Sequence, residues 1–292
     1  MNIPNLKIAL IIPTWNANRY LSALFASIQQ QTLQPHEILV IDSDSTDGTK
    51  KALESYPIRI HSIPQSEFDH GGTRQLGVEL IDADIYIFMT QDALPANPFT
   101  FQHLVQDLLS DSRIGCVYGR QLPAKEATPL SAHLRLFNYP SESHTQTYLD
   151  RTRLGIKTCF NSNSFAAYKK SALREIGGFP KRLILGEDIY VAAKMLLKNY
   201  HVRYAAHAQV HHSHNFTLHQ EFKRYFAIGV FHAQENWLIE AFTSPTNEGF
   251  KYIVSEIKYL IRNKKLHWLP RACCSWLAKL LGYQLGKRRK PA

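Results

Sequence analysis

The sequence predicts an α/β fold, a mixed but mainly parallel sheet flanked by helices and followed by a helical, basic C-terminal tail. Three observations predict it. Apolar runs without alternation, such as Ile8-Ala9-Leu10-Ile11-Ile12 and Ile38-Leu39-Val40-Ile41, read as strands buried on both faces, as parallel strands are. Successive strands are a dozen or more residues apart, the length that a parallel crossover through a helix needs. Residues 250–292 hold 11 of the 34 Lys+Arg and the single acid Glu256, so residues 1–249 balance at 23 of each sign and the net charge of +10 lies wholly in the tail.

Taken in order, the first strand breaks into Pro13-Thr14-Trp15-Asn16 and the second into Asp42-Ser43-Asp44-Ser45-Thr46-Asp47-Gly48. That second loop caps a helix over 49–55. A short strand is expected over 57–63, and a helix opens at Gly71-Gly72-Thr73-Arg74. A fourth strand, 84–90, ends at Gln91-Asp92-Ala93, and Pro98 near a first turn suits a helix to Leu109. A further strand covers 114–118. From Pro123 to about Lys157 the chain turns polar and irregular and reads as a loop excursion beside the site. Regular pattern returns at 163–168, then a helix over 170–176 stopped by Gly177-Gly178-Phe179-Pro180. Gly186-Glu187-Asp188 starts the next helix, and a late strand over 202–210 runs into a histidine cluster. The remainder is helical. The expected division is 1–235 as the core domain and 236–292 as a basic amphipathic region.

At 292 residues, with 45% hydrophobic and 20% charged residues, the chain holds a large folded core. Cys116, Cys159, Cys273 and Cys274 lack CxxC spacing and read as reduced thiols in a cytoplasmic protein. The N-terminus lacks the pattern of a signal peptide, and no run of eighteen apolar residues promises a simple membrane span. A nucleic-acid enzyme spreads its cations along a cleft, whereas these are confined to the tail, so no nucleic-acid partner is expected.

Four clusters carry chemistry. Thr14, Asn16, Asp42 and Asp44 follow strand ends, where open α/β sheets bind ligands, and Asp92 joins them after the fourth strand. Each aspartate alone could cap a turn; converging, they suit Mg²⁺ or Mn²⁺ holding substrate phosphates, and Asp42 could equally bond a base or sugar. In Phe68-Asp69-His70-Gly71-Gly72-Thr73-Arg74, the glycines allow close approach of a ligand to a helix N-terminus and Arg74 can fork onto phosphate oxygens. Neither the Walker pattern nor GxGxxG occurs. Glu187-Asp188 either complements a helix dipole or supplies a general base. His207, His211, His212, His214 and His219 form a run that is as readily structural as ligating, although His212-Ser213-His214 sets two imidazoles on one side of an extended segment.

These residues together resemble family-2 glycosyltransferases of the GT-A fold. Pro13-Thr14-Trp15-Asn16, the stretch Val40–Thr49 and Gly186-Glu187-Asp188 resemble the family at large. Phe68–Arg74 and His212-Ser213-His214-Asn215-Phe216-Thr217 resemble bacterial rhamnosyltransferases that use dTDP-L-rhamnose, and the likeness covers residues 6–235. The resemblance implies a GT-A-type, Rossmann-like sheet and an inverting transferase. It places Thr14, Asn16, Asp42, Asp44, Arg74 and Gln91 around the nucleotide sugar, Asp42 facing the pyrimidine, with Asp188 as catalytic base. Asp92 takes the last position of the family's DxD metal motif, with His212 as a further ligand. Thr90 stands where the first aspartate of that motif is expected, which loosens the expected dependence on Mg²⁺ or Mn²⁺. The alternatives are the same fold with a UDP-hexose donor and, from another class, a sugar nucleotidyltransferase, which should show a glycine-rich basic loop after the first strand.

The tail sets Phe250, Ile253, Val254, Ile257, Leu260 and Ile261 at helical spacing, then Trp268, Trp276, Leu277, Leu280, Leu281 and Tyr283, and closes on Lys287-Arg288-Arg289-Lys290. That mixture suits a helix lying on an anionic membrane surface, or one packed on its own domain with a solvated basic end. The first reading fits a glycan acceptor linked to polyprenyl diphosphate, in surface polysaccharide (O-antigen) synthesis at the inner face of the cytoplasmic membrane.

Overall fold

The computed structural model describes residues 6–243 and 248–289; Met1–Asn5 and Lys290 of the sequence reading lie outside them. The chain runs β1 (Ile8–Thr14), α1 (Asn18–Gln29), β2 (Glu37–Asp42), α2 (Thr49–Leu53), β3 (Arg59–Ser62), α3 (His70–Leu80), β4 (Ile85–Met89), the two-residue β5 (Leu94–Pro95) and α4 (Thr100–Leu109). It continues with β6 (Ile114–Leu122), α5 (Pro129–Asn138), β7 (His144–Gln146), α6 (Arg151–Leu154), β8 (Phe165–Lys169), α7 (Lys170–Glu175), α8 (Glu187–Leu197) and β9 (His201–His211). Four helices close it: α9 (Leu218–Gln234), α10 (Asn236–Phe242), α11 (Glu248–Arg262) and α12 (Leu269–Lys287).

One nine-stranded sheet forms in the order β3-β2-β1-β4-β8-β6-β9-β5, with β7 on β9. Strands β1 to β4 pair in parallel, as do β6 and β9, while β8 lies antiparallel between β4 and β6. The mixed, mainly parallel sheet expected from the apolar runs is therefore present. Both faces are covered: β1 and β4 bury almost every residue, and α1 lays Leu21, Leu24, Phe25 and Ile28 on one side. Helix α3 lies against the other, where a Cβ on Gly77 would meet the Ile11 side chain at 2.7 Å.

The stretch from Pro123 to Lys157 corrects the sequence reading. It is not an irregular loop but holds α5, β7 and α6. Thr128 caps α5, with Pro129 in its first turn, and the helix buries Leu130, Ser131 and His133. Two of those three are polar because the facing groups are polar. Ser131 donates to the His214 carbonyl at 2.9 Å, and His133 meets Ser255 at 2.9 Å and Glu256 at 3.3 Å. An inward face built of hydrogen bonds leaves no apolar period to read.

The tail packs on the rest of the chain. Helix α12 runs along α9 with bare backbones touching: a Cβ on Gly286 would fall 2.0 Å from the Phe226 carbonyl oxygen. Tyr252 and Trp276 donate to Glu256 at 2.6 and 2.7 Å, tying α11 and α12 to the His133 end of α5. The outer side of α12 leaves Leu277, Leu280, Leu281 and Leu285 about half exposed. Among the described residues no helix is long and apolar enough to cross a membrane.

Candidate active site

Strands β1 and β2 end side by side, Thr14 opposite Asp42, and β4 flanks β1. Beyond their carboxyl ends opens a cavity of about 770 Å³, the position at which open α/β sheets bind ligands. Thr14, Arg74, Gln91, Asp92, Asp188 and His212 all line it. Asn16, Asp42 and Asp44 do not; they build the loops behind its wall.

Asp42 is fully buried and accepts from Thr14 Oγ1 at 3.1 Å and from the Ser45 amide and hydroxyl at 2.9 and 2.6 Å. Asn16 (φ 49°) accepts from the Thr46 amide at 2.9 Å, and its own amide donates to Ser45 at 2.8 Å, stitching the two strand-end loops together. Asp44 (φ 59°) is exposed and paired with Lys50 at 2.8 Å. Asparagine and aspartate are the side chains that tolerate this left-handed backbone best. Gln91 is occupied as well. Its side-chain oxygen accepts from the Trp15 amide at 2.8 Å and its Nε2 donates to the Trp15 carbonyl at 3.0 Å. That clamp holds a half-exposed indole at the cavity wall.

Opposite, the end of β4 meets the end of β9. Asp92 lies 3.5 Å from His212 Nε2 and 3.6 Å from His214 Nε2, and one ligand atom from each lies within 4.8 Å of the others. The Gln121 side-chain oxygen contacts His212 Nδ1 at 2.9 Å, the orienting bond that metal-binding imidazoles use. Burial pushes the Asp92 carboxyl up, but the His212 hydrogen bond and the imidazole charges outweigh it and hold it well below the usual range. Burial lowers His214 to about 4, leaving it neutral near pH 7. One carboxylate and two imidazoles are a donor set that fits a divalent cation. The sequence reading placed His212 here; His214 completes the set, and its signal was the alternation of an extended segment.

Gly186 turns the chain into α8 with φ +84°, and a Cβ there would strike the Phe231 ring at 2.8 Å. The turn presents Glu187 and Asp188. Glu187 meets Arg74 at 3.1 Å and accepts from Asn163 Nδ2 at 3.0 Å. Burial opposes its ionisation, yet Arg74 and His70 hold it below the usual carboxylate range. Asp188 accepts from the Ile189 amide at 2.9 Å and the Asn163 amide at 3.3 Å. Close surroundings first, and the Glu187 charge second, push it up to about 7, while part of its surface stays open to the cavity. A carboxylate in that range can exchange a proton at neutral pH.

Two expectations about α3 change. Arg74 is 4% exposed, and its Nη1 serves the His70 carbonyl at 2.7 Å as well as Glu187. One arm of the fork expected on phosphate oxygens is taken up by protein, while its Nε is buried with no hydrogen-bond partner. Gly71 admits no ligand either: a Cβ there would sit 1.8 Å from the Pro180 carbonyl oxygen, so the glycine lets two backbone segments meet. Sequence reasoning also passed over Arg135 on α5 and Arg224 on α9, which line the cavity.

Residues 9–177 match Glycosyl transferase family 2. The chain belongs to this family. It is 48% identical over 284 residues to the O-antigen chain rhamnosyltransferase RfbN of Salmonella typhimurium, covering 97% of this chain and 90% of that protein. To the O-antigen chain rhamnosyltransferase WbaN of Salmonella anatum it is 44% identical, covering 95% and 88%. Among solved structures, the mannosyltransferase PcManGT of Pyrobaculum calidifontis, in complex with GDP-Man and Mn²⁺, superposes with a TM-score of 0.64 at 16% identity, covering 97% of this chain and 86% of that one. That likeness shows a GT-A-like fold, as expected of this glycosyltransferase family.

Proposed function

We propose that this glycosyltransferase is an inverting enzyme that moves L-rhamnose from dTDP-L-rhamnose to a lipid-linked glycan during O-antigen assembly. The carrying observation is Asp188, pushed up to about 7 and open to a cavity that Asp92, His212 and His214 also line. The 48% and 44% identities to two O-antigen chain rhamnosyltransferases support the donor and the pathway.

In this reading the ionised Asp188 takes the proton of the acceptor hydroxyl as that oxygen attacks the anomeric carbon. The bond to the nucleoside diphosphate breaks on the opposite face. Asn163 holds the base through its amide, and Glu187 raises it through charge. Asp92, His212 and His214 would hold the cation. Two imidazoles favour Mn²⁺ over Mg²⁺, which prefers oxygen ligands. A bound divalent ion supplies Lewis-acid charge for the departing diphosphate. Thr14, with Asn16, Asp42 and Asp44 bracing its loop, bounds the nucleotide end. Arg74 holds Glu187 through Nη1 at the cavity wall.

The acceptor reading places the enzyme on the cytoplasmic face of the membrane. The half-exposed leucines of α12, flanked by the basic end at Lys287-Arg288-Arg289, form the side that meets anionic lipid. The deciding experiment incubates the protein with a panel of nucleotide sugars and divalent cations and follows donor hydrolysis. Slow hydrolysis of dTDP-L-rhamnose, lost on chelation, is expected. Preferential use of a UDP-hexose would overturn the donor assignment.

A further inference from the structure

Toward α5 and α9 the charges lining the cavity do not balance. Arg74 and Lys279 meet Glu187 and Glu221 at 3.1 and 3.5 Å, and Lys157 pairs with Glu248. Arg135 and Arg224 line the same space, and among the described residues neither has a carboxylate within 4.0 Å. Arg135 donates through Nη1 to the Gln121 side-chain oxygen, and its Nε–H is buried with no partner. Arg224 is exposed and stands 5.9 Å from the Phe216 ring centroid. Burial chiefly, together with the nearby Arg224 charge, pushes Arg135 below the usual arginine range.

The same Gln121 oxygen contacts His212, so the unmatched arginines and the Asp92–His212–His214 cluster face one chamber. Asp92 acts on Arg135 only at a distance, so this largely buried guanidinium beside a second one, with no carboxylate in contact and a buried orphan Nε, gains when an anion arrives. Their planar forks match phosphate oxygens. Leu134, next to Arg135, and Ile228, one helical turn beyond Arg224, line the cavity too, giving the anion apolar company.

We propose that Arg135 and Arg224 form a subsite for a substrate diphosphate, apart from Arg74. The proposal rests on reading the cavity as a glycosyl-transfer site. The diphosphate has two sources, the leaving nucleoside diphosphate or the diphosphate of a lipid-linked acceptor, and the apolar neighbours favour the second.

Calorimetry on the full chain separates them, using dTDP with Mn²⁺ and, apart from it, farnesyl diphosphate. Arg224→Gln is expected to weaken farnesyl diphosphate binding about tenfold or more, the size of one lost charge-assisted contact, and to leave dTDP unchanged. Weakening of dTDP instead keeps the subsite and assigns it to the donor. If neither Arg224→Gln nor Arg135→Gln changes either affinity, or the unaltered protein binds neither probe, the subsite does not exist. Arg224 is exposed, so its variant decides even if Arg135→Gln misfolds, and Arg135→Lys keeps the charge as a control. Failure of the wider reading shows separately, as absence of dTDP-L-rhamnose hydrolysis by the unaltered protein.

Discussion

Arg74 and Glu187 face each other at 3.1 Å with side chains only 5% and 7% exposed, and their pairing keeps a negative charge against the neighbouring Asp188. Removing one partner of such a buried pair generally costs about 3–5 kcal/mol, because the other charge is stranded. The pair therefore binds α3 to the start of α8 and also sets the proton affinity of the proposed base.

Activity should follow the ionisation of Asp188. With the group at about 7, kcat/KM should rise about tenfold per pH unit below neutrality and level off above it. Glu187→Gln removes the like charge and should move that rise to lower pH. An unmoved limb in the variant would disconnect Glu187 from the base. The same shift acts on stability: a carboxyl raised above its usual 3.8 favours the fold at low pH, and that contribution is lost as pH climbs to about 7.

Asp188→Asn should keep donor binding and lose transfer. A drop in kcat of roughly 100- to 10,000-fold is expected for a lost general base. Near-normal turnover in single-turnover assays would reassign the role.

Chelation should abolish donor hydrolysis, and Mn²⁺ should restore it better than Mg²⁺. His214→Ala takes away one of three ligands and should raise the half-saturating Mn²⁺ concentration by about tenfold or more, outer-shell losses alone reaching 10–100-fold. Metal titrations of activity and of thermal stability both read this. An unchanged titration would remove His214 from the set.

Gly286→Val should lower the melting temperature by several degrees. The added carbon would meet the Phe226 carbonyl, and forcing such contacts apart typically costs about 1–3 kcal/mol. A melting curve identical to that of the unaltered protein would contradict the backbone contact between α9 and α12.

Changing Leu277, Leu280 and Leu281 together to Ser should cut binding to phosphatidylglycerol vesicles without altering the melting temperature, since all three are more than half exposed. Co-sedimentation measures it. Equal binding by the variant would take the membrane away from α12.

Residues whose place at the cavity follows from chain direction were legible in the sequence. Apolar runs marked β1, β2 and β4, and strand ends marked Thr14 and Asp92, because a parallel sheet fixes where its carboxyl ends point. Gly186 announced the turn into α8 and so Asp188. Roles set by a distant partner were not legible. Nothing beside Arg74 says that Glu187, far along the chain, takes its guanidinium. Gly71 looks the same whether it approaches a ligand or the Pro180 carbonyl. Helix α5 escaped notice because its buried Ser131 and His133 are satisfied by His214, Ser255 and Glu256, none of them local.

Helix α9 touches α12 through bare backbone on one flank and turns Arg224, Ile228 and Phe231 into the cavity on the other. The two flanks are one helix width, roughly 10 Å, apart, although α12 itself reaches the cavity through Lys279. On the proposed membrane docking, an acceptor anchored in lipid beneath α12 would bring its sugar to Asp188 at a height set by the stacking of α12 and α9. Reach, as well as chemistry, would then select which glycan is extended.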